Sequence, residues 1–151
     1  MTEEDEMTDT ATKTRKAQLP QLLALGFGAL YVVVGIVGFL VTGFSGFAEP
    51  NTNKLLLGLF EINPFHNVGH LLTGLMGLTL GWTLTTARFF GLVLVASHFG
   101  LLGFGLLYAN RETPLNFFSF NVLDNVLHLG VIAVGLAIAF LPTRDERADR
   151  A

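Results

Sequence analysis

Four stretches of this 151-residue chain are each long and apolar enough to cross a bilayer, and they decide what it can fold into. They cover residues 19–41, 64–84, 88–108 and 122–141. A hydrocarbon core of ~30 Å asks for roughly 20 helical residues. Inside that core every backbone N–H and C=O has to be satisfied, which an α-helix does within one segment. Hydrophobic residues make up 51% of the chain and charged ones only 14%, and the charges lie almost wholly at the ends. The four stretches therefore lack the continuous polar face that a helix on a soluble protein needs. The expected fold is all-α, a polytopic four-helix transmembrane bundle.

Charge orients the bundle. Lys13, Arg15, Lys16, Arg88, Arg144, Arg147 and Arg150 fall on one side, and only Lys54 and Arg111 on the other. The positive-inside rule then places both termini in the cytoplasm of a multi-pass plasma-membrane protein. Residues 1–18 carry Glu3, Glu4, Asp5, Glu6 and Asp9 with hardly an apolar residue, and read as a disordered cytoplasmic tail. Residues 142–151 read as a second charged tail, leaving 19–141 as the transmembrane domain. Gly46-Phe47-Ala48 resembles a signal-peptide cleavage site, but the apolar run before it is about twice the usual length, so the first span is expected to be kept. The outer loops are expected at 42–63 and 109–121, with a short interfacial helix over 54–60 and an interfacial aromatic patch of Phe117, Phe118 and Phe120. A tight inner turn is expected near 85–88. The chain has no cysteine, which excludes disulfides, thiolate metal sites and cysteine nucleophiles. No basic face supports nucleic-acid binding, and the expected partner is the lipid bilayer.

The polar residues inside the apolar stretches repeat. Asn63-Pro64-Phe65-His66-Asn67-Val68-Gly69-His70 recurs as Asn121-Val122-Leu123-Asp124-Asn125-Val126-Leu127-His128. Gly35-Ile36-Val37-Gly38-Phe39 is echoed by Gly100-Leu101-Leu102-Gly103-Phe104. The expectation is two helical-hairpin repeats, about 19–84 and 88–141. Because each holds an even number of spans, the copies keep one orientation and are related by an axis along the membrane normal. Gly77/Gly81, Ala96/Gly100 and Ala133/Ala137 have small-xxx-small spacing, suited to packing seams within the bundle or to a homo-oligomer.

Asn63 and Asn121 suit helix N-caps, with Pro64 at the first helical position. An i, i+4 spacing then puts His66 with His70, and Asp124 with His128, on one helical face. The leading expectation is a non-catalytic polar clasp. Asn63, Asn67, Asn121 and Asn125 hydrogen-bond across helices, Asp124 caps backbone N–H groups, and neutral His70 and His128 complete the network. The alternative is a cofactor site: His66, His70, Asp124 and His128 are a donor set for zinc, iron or copper, and His70 and His128 are the ingredients of haem ligation. His98 stands alone near the middle of the third span, where core packing with a hydrogen bond to a backbone carbonyl is expected. Glu61 is expected to be a solvated acid just before the cap. Ser97 and Ser119 have no evident base partner, and transport would ordinarily bring more intramembrane charge or a broken helix.

His66-Asn67-x-x-His70-Leu71, Asp124-Asn125-x-x-His128-Leu129 and the early Gly35-x-x-Gly38-Phe39 together resemble an uncharacterised family of small four-helix bacterial membrane proteins. That family is known as a domain of unknown function, and the resemblance covers residues 19–141. It implies the four-helix fold and draws attention to the paired motifs, but it implies no activity.

Overall fold

A computed structural model describes residues 17–143. Most of both charged tails, with Lys13, Arg15, Lys16, Arg144, Arg147 and Arg150, lies outside the described residues. The fold is all-α in its body: α1 (Leu19–Thr42), α2 (Pro64–Leu80), α3 (Leu84–Tyr108) and α4 (Val122–Phe140). Among the described residues, α1, α3 and α4 are long and apolar enough to cross a membrane. The 17-residue α2 reaches about 25 Å at 1.5 Å per residue, and His66, Asn67 and His70 interrupt its first two turns.

Local signals set the helix ends. Asn63 accepts from the His66 backbone N–H at 2.8 Å and Pro64 follows at the first helical position. Asn121 accepts from the N–H groups of Leu123 and Asp124, and the Asp124 carboxylate accepts from Asn121 N at 2.7 Å, a reciprocal capping box. Thr83 caps α3 through the Thr86 N–H. The turn between α2 and α3 therefore falls at Gly81-Trp82-Thr83, ahead of the expected 85–88.

The expected helix over 54–60 is instead an antiparallel hairpin, β1 (Leu55–Leu56) with β2 (Phe60–Glu61). Leu57 and Gly58 at its tip take φ of 55° and 72°, so the chain reverses where a helix would need φ near −60°. The run of leucines hides this reversal from periodicity, and Gly58 alone marks it.

Two close helix pairs build the bundle, α1 with α2 and α3 with α4, while α2 and α4 do not pack on each other. Lipid gives no reward for burying leucine on leucine, so backbone approach carries the pairing. A Cβ added to Gly28 would stand 2.7 Å from Leu78 N and 2.8 Å from Gly74 O, and one on Gly91 would stand 2.7 Å from both Ala139 N and Gly135 O. Gly77 lies in the first seam as expected. Ala96, Gly100 and Ala133 are exposed and seal nothing inside the bundle. Gly38 is also a packed glycine, a notch that holds the Asn67 side chain. Gly103 is open, and the notch on α3 that holds Asn125 is Gly105. Ala24, Tyr31, Phe90, Leu94, Val131 and Ile138 fill the centre. Leu40, Leu72, Phe99 and Phe140 point outward as large apolar groups, the surface of a bundle solvated by lipid.

Candidate functional site

The site begins with the loops that join the two hairpins at one end of the bundle. Asn63 is fully buried, and its Nδ2 donates to Glu49 O at 2.9 Å in loop 43–63 and to Phe117 O at 2.7 Å in loop 109–121. One side chain thus caps α2 and ties both loops to it. Asn121 Nδ2 donates to Leu59 O, joining α4 to the β-hairpin. Asn67 Nδ2 donates to Thr42 Oγ1 at 2.9 Å and fastens α2 to α1. Asn125 sits in the Gly105 notch with no hydrogen-bond partner for its Oδ1.

Glu61 departs from the expected solvated acid. It is buried, and its Oε1 accepts from Asn53 N at 3.0 Å and from Ser119 Oγ at 2.9 Å. Asn116 accepts from Phe120 N and donates to Phe120 O, which fixes Phe120 beneath the loops. Phe120 is fully buried and belongs to no interfacial patch.

Under this cover lies a cavity of about 440 Å³ between α2 and α4. Six of the rings that line it close a circle. Successive centroid separations are His66–His70 4.5 Å, His70–Tyr31 5.3 Å, Tyr31–His98 6.3 Å, His98–His128 5.5 Å, His128–Phe120 4.9 Å and Phe120–His66 4.9 Å. All four histidines of the chain are in it, His98 included. The sequence sets His98 apart near mid-span, assigns Phe120 to an interfacial patch and gives no signal for Tyr31, whereas the structure brings all three into the circle. His98 does make the expected backbone contact, Nδ1 to Leu94 O at 3.1 Å. A carbonyl only accepts, so Nδ1 carries the proton and the Nε2 of a neutral ring is an acceptor.

The other imidazoles are satisfied only in part, His66 through the backbone of Glu61 and Phe118. His66 Nδ1, His70 Nδ1 and both ring nitrogens of His128 are buried without a hydrogen-bond partner among the described residues. Such atoms are costly unless something else bonds them. Asp124 also lines the cavity, with one carboxylate oxygen engaged by the cap. The four residues expected as metal ligands thus share one cavity. Among the described residues, however, no three His, Asp or Glu side chains converge as a metal-binding group. His70 and His128, the pair expected for haem, stand on different helices of the circle with the Tyr31 and His98 rings between them.

The chain belongs to a family described as a domain of unknown function, DUF4383, whose model matches residues 21–141. No curated protein and no solved structure matches the chain.

Proposed function

We propose that this DUF4383 member is a four-span membrane protein that binds a small amphipathic molecule in the histidine-lined cavity, with an asparagine clasp holding the cavity's cover in place. The observation that carries the reading is the ring circle with its unpartnered nitrogens: imidazole atoms buried beside a cavity of about 440 Å³ are groups waiting for a ligand. That volume lies within the ~300–1,000 Å³ typical of small-molecule sites, which pair apolar walls with a few polar groups.

The clasp expected from sequence divides into two roles. Asn63, Asn67 and Asn121 act as the clasp, each bonding a second segment. His66, His70, His98, His128 and Asp124 act as the binding surface. A metal centre is the weaker reading, since among the described residues no three donor side chains converge, and haem ligation by His70 and His128 stays the alternative occupant of the same cavity. The short α2 is the fourth span, its polar first turns shielded by the loops. Two further features stay in the proposal. One is the hairpin repeat of about 19–84 and 88–141, supported by Asn67 lying against Gly38 as Asn125 lies against Gly105, two residues beyond the Gly103 that the sequence pairs with Gly38. The other is a plasma-membrane orientation with cytoplasmic termini. The exposed Ala96/Gly100 face is the surface for any self-association.

His128→Leu separates binding from clasping. A histidine that clasps would lose about 1–3 kcal/mol of stability on replacement. A histidine kept for a ligand loses none, because its nitrogens have no protein partner to abandon. We expect thermal unfolding of the variant in detergent at or above the wild-type midpoint, together with loss of any lipid-soluble molecule that copurifies with the wild type. A large fall in midpoint with unchanged copurifying molecules would return His128 to the clasp.

A further inference from the structure

Resting on the reading of the cavity as a binding site, we infer that its ligand is a neutral quinone-class molecule that enters sideways from the bilayer between α1 and α4. The route comes from the lining residues that are themselves exposed. Leu30 on α1, Leu57 at the hairpin tip and Gly130 on α4 all line the cavity and all reach the surface. Gly130 serves no helix seam, since a Cβ added there would meet nothing within 4 Å, and the same holds for cavity-lining Gly69 on α2. Glycine weakens a helix. The glycines of the seams offset that cost by letting backbones approach, whereas these two leave open space beside the cavity.

Charge restricts the head group. Lys54, Arg88 and Arg111 do not line the cavity, and Lys54 Nζ is engaged by Thr42 O at 2.8 Å. A phosphate or fatty carboxylate would enter with no cation to meet it, which is costly in a low-dielectric site. An anionic head group is therefore excluded, and Asp124, the one carboxyl group lining the cavity, already accepts from Asn121 N at 2.7 Å in the helix cap, so a neutral head group fits best. Polarity gives its shape. The imidazoles with unpartnered nitrogens form two walls on helices that do not pack on each other, His66 and His70 on α2 and His128 beside Asp124 on α4, with Tyr31 and His98 between them on one side and Phe120 on the other. A long-chain alcohol carries one polar atom and can satisfy one wall. A quinone carries oxygens on opposite edges of a flat ring and can bond both walls while its faces lie against the aromatic groups. Neutral imidazoles both donate and accept, so the quinol form is held as well.

The test uses the full chain in detergent micelles and two probes, a naphthoquinone bearing a short isoprenoid tail and a primary alcohol of matched length. Bound probe is quantified after equilibrium dialysis for the wild type, His128→Leu and Gly130→Phe. We expect saturable one-to-one quinone binding that is weakened about tenfold or more in both variants, with the alcohol at least about tenfold weaker than the quinone. Gly130 lines the cavity and has open space beside it, so Gly130→Phe puts its ring into ligand space at the mouth and lowers the equilibrium affinity without disturbing a seam. Equal affinity for alcohol and quinone, both lost in Gly130→Phe, would overturn the quinone assignment and leave the cavity as a binding site. Quinone binding lost in His128→Leu but intact in Gly130→Phe would overturn the entry between α1 and α4 alone, whereas binding of neither probe, or binding that both variants leave intact, would overturn both readings.

Discussion

Replacing Asn63 by aspartate changes one NH₂ group into an oxygen, and the structure makes that change expensive. Aspartate and asparagine are comparable N-caps, so the bond from His66 N at 2.8 Å survives. The loss falls on Nδ2, which donates to Glu49 O at 2.9 Å and Phe117 O at 2.7 Å from a fully buried position. Two hydrogen bonds worth about 1 kcal/mol each disappear, and an acceptor is left facing two carbonyl oxygens for a further ~1–3 kcal/mol. Asn63→Asp is therefore expected to cost about 3–5 kcal/mol. The same substitution at Asn110 gives the control. Asn110 Oδ1 accepts from Val122 N at 2.8 Å at an exposed position beside the start of α4, and a carboxylate there keeps the bond and gains from the helix dipole. Thermal unfolding in detergent should show Asn63→Asp lowered by about 10 °C or more and Asn110→Asp unchanged or raised. Limited proteolysis should cut loops 43–63 and 109–121 faster in the first variant only. A midpoint for Asn63→Asp close to the wild type, or an equal fall for Asn110→Asp, would refute the clasp.

Two further outcomes follow from the glycines and the histidines. Gly28→Ala and Gly91→Ala push a methyl into backbone 2.7 Å away and should destabilise by about 1–3 kcal/mol. Gly26→Ala and Gly103→Ala meet nothing and should be neutral or stabilising by up to about 1 kcal/mol in the same unfolding assay, and a uniform response would break the assignment of seams. Cobalt(II) added to purified protein is expected to give no intense tetrahedral d–d absorption, because the imidazoles do not converge. A stoichiometric band that disappears in His70→Leu would restore the metal centre.

What the sequence revealed and what it hid divide by distance along the chain. Apolar length and the Asn63 and Asn121 caps are local signals, and three spans and the starts of α2 and α4 follow from them. The Thr83 cap, by contrast, lies in a Thr-rich run whose signal is not distinctive, and α3 starts at Leu84 rather than 88. The cover of the cavity is non-local. Ser119 meets Glu61 across 58 residues and Asn63 meets Phe117 across 54, and nothing in either segment names the other. The hairpin tip was hidden because Leu57 accepts a left-handed φ that its residue type gives no reason to expect.

His98 shows why depth counted along separate helices misleads. It is ten residues before the end of α3, roughly 15 Å, while His128 is six residues into α4, roughly 9 Å. The axial difference is roughly 6 Å, and two imidazoles on adjacent helices bridge it to reach a centroid separation of 5.5 Å. The paired motifs had drawn attention to α2 and α4 alone. Once His98 joins them, the polar groups cease to be two matched clusters at helix entrances and become one circle with contributions from all four helices, closed by Phe120 from the second loop. A clasp needs its polar groups turned toward one another's hydrogen-bonding atoms. These rings meet chiefly face to edge while several of their nitrogens stay unpartnered, and that arrangement fits a wall around a ligand better than a bond between helices.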